Sequence, residues 1–201
     1  MARPGLTSLS DAAAKELAKH KGGEWGGSLS LDGLTSLSDA AAASLAKHEG
    51  KEALSLDGLT SLNDAAAAAL AKYEGKAFLS LSGLTSLSDA VAKELAKYEG
   101  RELCLRGLTS LSDATAKELA KSKGGSLYLD GLTSLSDAAA ASLAKHEGTL
   151  SLDGLTSLSD AAAASLAKHK GESLSLSRLT SLSYAAAASL AKHKGNLSDL
   201  E

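Results

Sequence analysis

Aromatic residues are scarce in this sequence: they make up 3% of 201 residues, with one phenylalanine and one tryptophan. A close-packed interior of irregular shape draws on residues of many sizes. The hydrophobic content here, 44%, is nearly all leucine and alanine, which suits one small packing problem solved many times. Cysteine occurs once, as Cys104. That excludes an internal disulfide framework and fits a reducing compartment, so a cytoplasmic address is the expectation. No run approaches the ~18 apolar residues of a membrane span, and no signal peptide precedes the first repeat, so no membrane role is expected. The net charge of −3 lacks the basic footprint of a nucleic-acid binder. There is no Gly-x-Ser-x-Gly elbow, phosphate-binding loop, dinucleotide fingerprint or His-Glu-x-x-His, so the expectation is no enzyme and no cofactor.

What is present is a repeat. Gly-Leu-Thr-Ser-Leu-Ser-Asp begins at Gly5, Gly33, Gly58 (with Asn63 for Ser), Gly83, Gly107, Gly131 and Gly154. An eighth copy begins at Arg178 and carries Tyr184 in place of Asp. The spacings run from 23 to 28 residues, the period of a solenoid. Residues 1–199 therefore read as one domain of about eight units. The first lacks its strand, the last is followed by a partial strand at Asn196–Leu200, and Leu200-Glu201 reads as an expression scar.

The segment from Leu54 to Gly75 illustrates a unit. Leu54-Ser55-Leu56 alternates with period two, the signature of a short strand with one buried face. Asp57-Gly58 turns the chain, and Leu59 and Leu62 lead to a helix start with Asn63 as N-cap. Ala65–Tyr73 has strong helix propensity, and Gly75 reads as a left-handed stop. The aspartates that open each helix (Asp11, Asp39, Asp64, Asp89, Asp113, Asp137, Asp160) and the lysines that close it (Lys19, Lys47, Lys72, Lys97, Lys121, Lys145, Lys168, Lys192) suit the helix dipole. One unit buries too little to fold alone, so each must cover the next. Strands stack ~4.8 Å apart and helices ~8–10 Å apart. The expected architecture is an α/β solenoid: a curved, right-handed stack with short parallel strands on the concave side and Ala-rich helices on the convex side.

These positions resemble leucine-rich repeats, most closely the cysteine-containing subclass found in F-box-type receptors and bacterial relatives. Leu54, Leu56, Leu62, Asp64 and Leu70 fall on the family's places, with Asn63 at the usual Thr. The chain departs where the family has Cys or Asn, since Leu59 and its equivalents stand there, and Lys51 replaces an earlier leucine. The resemblance implies the solenoid fold and a role in binding proteins.

Strand parity selects the face available to a partner. With Leu29 and Leu31 inward, Ser28, Ser30 and Asp32 point outward. The middle outward column reads Ser30, Ser55, Ser80, Cys104, Tyr128, Ser151 and Ser175, and each of these is expected to meet water. Mid-array the pattern changes: Phe78, Glu102, Cys104, Arg106, Tyr128 and Asp130 interrupt a run of serines and aspartates, with the composition of a small interface hot spot. Drift in a tolerant column is the competing reading. No histidine falls on that face to activate Cys104 as a nucleophile. The five histidines (His20, His48, His146, His169, His193) share one column with Tyr73, Tyr98 and Ser122 at the helix C-termini. They lie too far apart for a zinc site and read as solvent-facing helix ends. The Asp32, Asp57, Asp130, Asp153 column lacks the 6–8 oxygens of a calcium site and reads as tolerated repulsion on a solvated rim. Trp25 is expected to cover the first strand's apolar edge. The unbroken threonine column from Thr7 to Thr180 follows from turn geometry, with an ice- or mineral-binding surface as the remote alternative.

Two functions remain: a module that binds a protein partner on its concave face, or a structural array whose ends associate head to tail with other copies.

Overall fold

The structure is a computed structural model, and it describes residues 6–19, 27–48, 52–75, 77–123, 125–193 and 195–198. Trp25, residues 1–5 and the closing Leu200-Glu201 lie outside the described residues. Helix and strand alternate throughout: α1 (Asp11–Ala18), β1 (Leu29–Ser30), α2 (Asp39–Leu45), β2 (Ala53–Ser55), α3 (Asp64–Leu70), β3 (Phe78–Ser80), α4 (Asp89–Leu95), β4 (Glu102–Cys104), α5 (Asp113–Leu119), β5 (Ser126–Tyr128), α6 (Asp137–Leu143), β6 (Thr149–Ser151), α7 (Asp160–Leu166), β7 (Ser173–Ser175), α8 (Tyr184–Leu190) and β8 (Asn196–Ser198). The strands form one parallel sheet in chain order, and each helix packs on the next helix in sequence. This is the expected α/β solenoid. Of the stretch expected to be a partial strand, Asn196–Ser198 form β8, which pairs with β7 along all three residues.

The register stacks like on like. Leu54, Leu79, Leu103 and Leu127 are cross-strand neighbours in turn, and all four are fully buried. With Leu56, Leu59 and Leu70 and their equivalents they form one core that runs unbroken from Ala14 to Leu190 between sheet and helices. Alanines such as Ala66 and Ala67 complete the floor of each helix at zero exposure, and their small side chains allow the close approach that the spacing demands.

Every helix starts on a Ser or, at α3, Asn63. The N-cap backbone is extended and its side-chain oxygen accepts from the amide three residues on, as from Ala66 N to Asn63 Oδ1 at 2.8 Å. The first helical residue's aspartate has a second role that the sequence did not reveal. Asp39 Oδ1 accepts from Asn63 Nδ2 of the next helix at 2.8 Å. Asp113, Asp137 and Asp160 likewise accept from the N-cap hydroxyls of Ser136, Ser159 and Ser183.

The helix ends differ from expectation. The α3 helix stops at Leu70, not Tyr73, through tight three-residue bonds from Lys72 N to Ala69 O (3.0 Å) and Tyr73 N to Leu70 O (2.9 Å). Nor is Gly75 left-handed. It is needed because the Tyr73 ring folds back across it: a Cβ there would lie 2.1 Å from the ring's Cζ.

The turn glycines answer a similar demand between repeats. A Cβ on Gly131 would lie 2.2 Å from Arg106 O and 2.7 Å from Leu108 O of the preceding turn. The eighth copy tests this requirement naturally, since Arg178 occupies the place. There the bond from Leu179 N to Leu176 O is 3.3 Å, at the long end of a series that runs from 3.0 Å (Leu34 N to Leu31 O) to 3.2 Å (Leu108 N to Leu105 O) at the glycine turns. Leu179 is also only half-buried, whereas Leu132 is fully buried. Gly131→Ala should therefore destabilise the fold by ~1–3 kcal/mol through overpacking, and Arg178→Gly should raise stability. Urea unfolding of the two variants beside the parent checks both signs.

Candidate functional site

The outward face of the sheet is built from the residues between the leucines. On β1, β2 and β6 a serine sits two residues before an aspartate (Ser30 and Asp32, Ser55 and Asp57, Ser151 and Asp153), and aspartates of this column are cross-linked to the serines of the following repeat. Asp57 Oδ1 accepts from Ser80 Oγ at 2.6 Å and from Ser82 N at 2.7 Å. Asp153 Oδ1 accepts from Ser175 Oγ at 2.6 Å and Ser177 N at 3.0 Å. Asp32 takes Ser55 Oγ and Asp57 N, and Asp130 takes Ser151 Oγ and Asp153 N. The column expected to be a repulsive rim is thus a bonded ladder. Its protein donors stabilise the ionised form. For Asp153, burial raises the carboxyl's pKa, but the bonds from Ser175 and Ser177 outweigh it and hold it below the ordinary 3.8. Asp32 is lowered in the same way against the same burial, by Ser55, Ser30 and Asp57.

The ladder breaks where the sequence departs from its pattern. Ser82 replaces the aspartate of β3, Cys104 the serine of β4, and Arg106 the next aspartate. Strands β3, β4 and β5 bring the departures together: Phe78 pairs with Glu102, and Cys104 lies between Ser80 and Tyr128. Arg106 then reaches forward to the next repeat. Its Nε donates to Asp130 Oδ2 at 2.9 Å, and its guanidinium carbon stands 4.4 Å above the centre of the Tyr128 ring. All six residues marked out in the sequence therefore share one surface, and three are in direct contact. At this exposure the ring contact contributes ~0.5–1 kcal/mol and the ion pair less than ~1 kcal/mol. The consequence is order more than stability: the largest cation on the face is held in one place. Burial raises the Tyr128 hydroxyl's pKa, and the nearby Glu102 carboxylate adds to the effect.

Parity holds, since neither Cys104 nor Tyr128 belongs to the leucine core, but the middle column is drier than expected. Ser80, Cys104 and Ser151 are buried, Cys104 at 4% exposure, while Tyr128 is half-buried. Small side chains on strands ~4.8 Å apart are shaded by their larger neighbours. Burial pushes the Cys104 thiol up to about 11, with Arg106 pulling the other way and Glu102 adding to the rise.

The threonine column is a stacking device of the turns. Thr180 N and Oγ1 both donate to Thr156 O, at 3.0 and 3.2 Å, and Thr35 makes the same pair of contacts to Thr7 O.

Three of the five histidines overturn the solvent-facing reading of their column, while His193 is half-buried and His20 lies outside the described residues. His48, His146 and His169 are 1–3% exposed, and Tyr73, Tyr98 and Ser122 are buried in the same column. After the helix ends, the chain folds the side chain under the next strand. There Tyr98 donates its hydroxyl to Gly75 O at 3.3 Å, and His48 Nε2 lies 3.0 Å from Gly27 O. The residue types in this column are polar, but their place is the seam between helix end and strand.

No known protein-family model matches the sequence, and no curated protein matches it significantly. Among the described residues no helix is long and apolar enough to cross a membrane.

Two outcomes follow. Asp153→Asn should weaken the fold at neutral pH. The parent's advantage, fully present above the unfolded value of 3.8, should fade as pH falls through the lowered folded value; chemical denaturation at pH 7, 4 and 3 reads this. Cys104 should react with a disulfide reagent at pH 7 at least about tenfold more slowly than free cysteine, whose pKa is ~8.5. Tyr128→Ala should raise that rate by removing its cross-strand neighbour.

Proposed function

We propose that this chain is a non-catalytic interaction scaffold of the leucine-rich-repeat kind, receiving an extended segment of a protein partner on its concave face over β3–β5. The observation that carries the reading is the Arg106–Tyr128–Asp130 cluster, flanked by Phe78, Glu102 and Cys104. An arginine fixed on an aromatic ring at the centre of a face of small residues has its rotamer cost of binding already met, and Arg and Tyr are the residue types on which interface energy concentrates. The rest of the face says what it would prefer. Its outward columns carry Asp32, Asp57, Glu102, Asp130 and Asp153 against Arg106 alone, so charge complementarity favours a basic segment. The leucine-rich-repeat resemblance points the same way, since such arrays use this face to bind proteins.

The head-to-tail reading gains nothing from the last unit. Tyr184 stands where the other helices carry an aspartate, which in six of them accepts from the next N-cap, and Ser177 stands where four repeats carry the ladder aspartate.

The test is capture from native lysate by immobilised protein. The parent should retain a partner that elutes as salt is raised, and Arg106→Ala with Tyr128→Ala should lose it at least about tenfold while the circular dichroism spectrum is unchanged. Equal capture by parent and variant would reject the site.

A further inference from the structure

The seam beneath the helix ends is not uniform, and its composition divides the molecule. Under α3, α4 and α5 the column holds Tyr73, Tyr98 and Ser122, none of which titrates between pH 4 and 7. Under α6, α7 and α8 it holds His146, His169 and His193. These three imidazoles stack on one another: His146 and His169 have centroids 6.5 Å apart with ring planes 25° from parallel, and His169 and His193 are 6.0 Å apart at 28°. His146 and His169 are 1% and 3% exposed; among the described residues no ring nitrogen of either makes a well-formed hydrogen bond, and the nearby backbone of Thr149 (for His146) and of Gly148 and His146 (for His169) favours protonation less than burial opposes it. Under α4, by contrast, the Tyr98 hydroxyl donates to Gly75 O at 3.3 Å.

We propose that α6–α8 and the strands between them form an acid-sensitive block, in which protons entering the His146–His169–His193 stack loosen this part of the solenoid while the α3–α5 part stays closed.

A charge on His169 would be buried and would face His146 on one side and His193 on the other. The charged residues flanking the stack in sequence are Lys145, Glu147, Lys168, Lys170, Glu172 and Lys192, all exposed. Of these, Glu147 acts to favour protonation, and it acts on His146. Burial, then the two neighbouring imidazoles, depress His169 to about 4; burial also depresses His146. The sign follows. The unfolded imidazole titrates near 6.5 and binds protons that the folded one refuses, so stability is lost as pH falls from 6.5 towards 4. One group shifted this far favours opening by about 30-fold at pH 5. The window lies above that of Asp153, whose contribution fades only below 3.8. A solenoid can yield locally in this way because each repeat holds only its neighbours.

The test is amide hydrogen exchange of the full chain, followed by mass spectrometry at pH 7, 6 and 5 and corrected for intrinsic exchange rates. The parent should lose protection in α6–α8 by on the order of 10-fold or more between pH 7 and 5, with α3–α5 changing far less. The triple variant His146→Tyr, His169→Tyr and His193→Tyr, which installs a residue the column already accepts at Tyr73 and Tyr98, should hold its protection. If that variant does not fold, the corresponding Gln triple serves. Equal loss in the two halves, no loss in the parent, or the same loss in a folded variant would each overturn the proposal.

Discussion

The structure depends on the closeness of one turn to the next. Each leucine is covered by the repeat beside it, and that cover exists only if successive backbones approach to contact. The glycines at the turns of Gly58, Gly83, Gly107, Gly131 and Gly154 permit the approach, because a Cβ at any of them would meet the carbonyls of the preceding turn. From this contact follow the parallel register, the stacked leucines and the threonine bonds that tie one loop to the next. The polar ladders are built at the same spacing, one along the helix N-termini and one along the concave face. A carboxylate on one repeat meets a hydroxyl on the following one because the turns are already in contact.

The fold was legible because its signals are short-range and repeated. Leu54-Ser55-Leu56 alternates as a strand must, Asn63-Asp64 opens a helix as a cap must, and neither reading needs a distant residue. The six atypical positions on the concave face were also legible, since parity alone places Phe78, Glu102, Cys104, Arg106, Tyr128 and Asp130 on one side. What the sequence concealed lies between repeats. The bonds from Ser80 to Asp57 and from Ser175 to Asp153 join residues 23 and 22 positions apart. A signal for them existed in the constant offset of Ser from the preceding Asp, but composition alone makes such a column look like accumulated repulsion.

The histidine column misled for a different reason. Polar type and helix-end position both argue for solvent, and for the neighbouring lysines they argue correctly. The helix ends two or three residues earlier than propensity suggests, and the tight turn that follows swings the side chain beneath the next strand. Gly75 shows the same effect: it accommodates the Tyr73 ring and not a positive φ. Local propensity describes the helix well, but the exit from the helix is decided by what the next strand needs covered.

The forward reach of Arg106 has a consequence for how such a chain can be rearranged. Most repeats meet their neighbours through the same Asp–Ser bond and are in that respect exchangeable cassettes. The repeats that contain β4 and β5 are not, since the guanidinium of one is seated on the ring and carboxylate of the other. Shuffling that parted them would keep the Asp–Ser bonds of the other repeats and lose the Arg106 contacts to Tyr128 and Asp130.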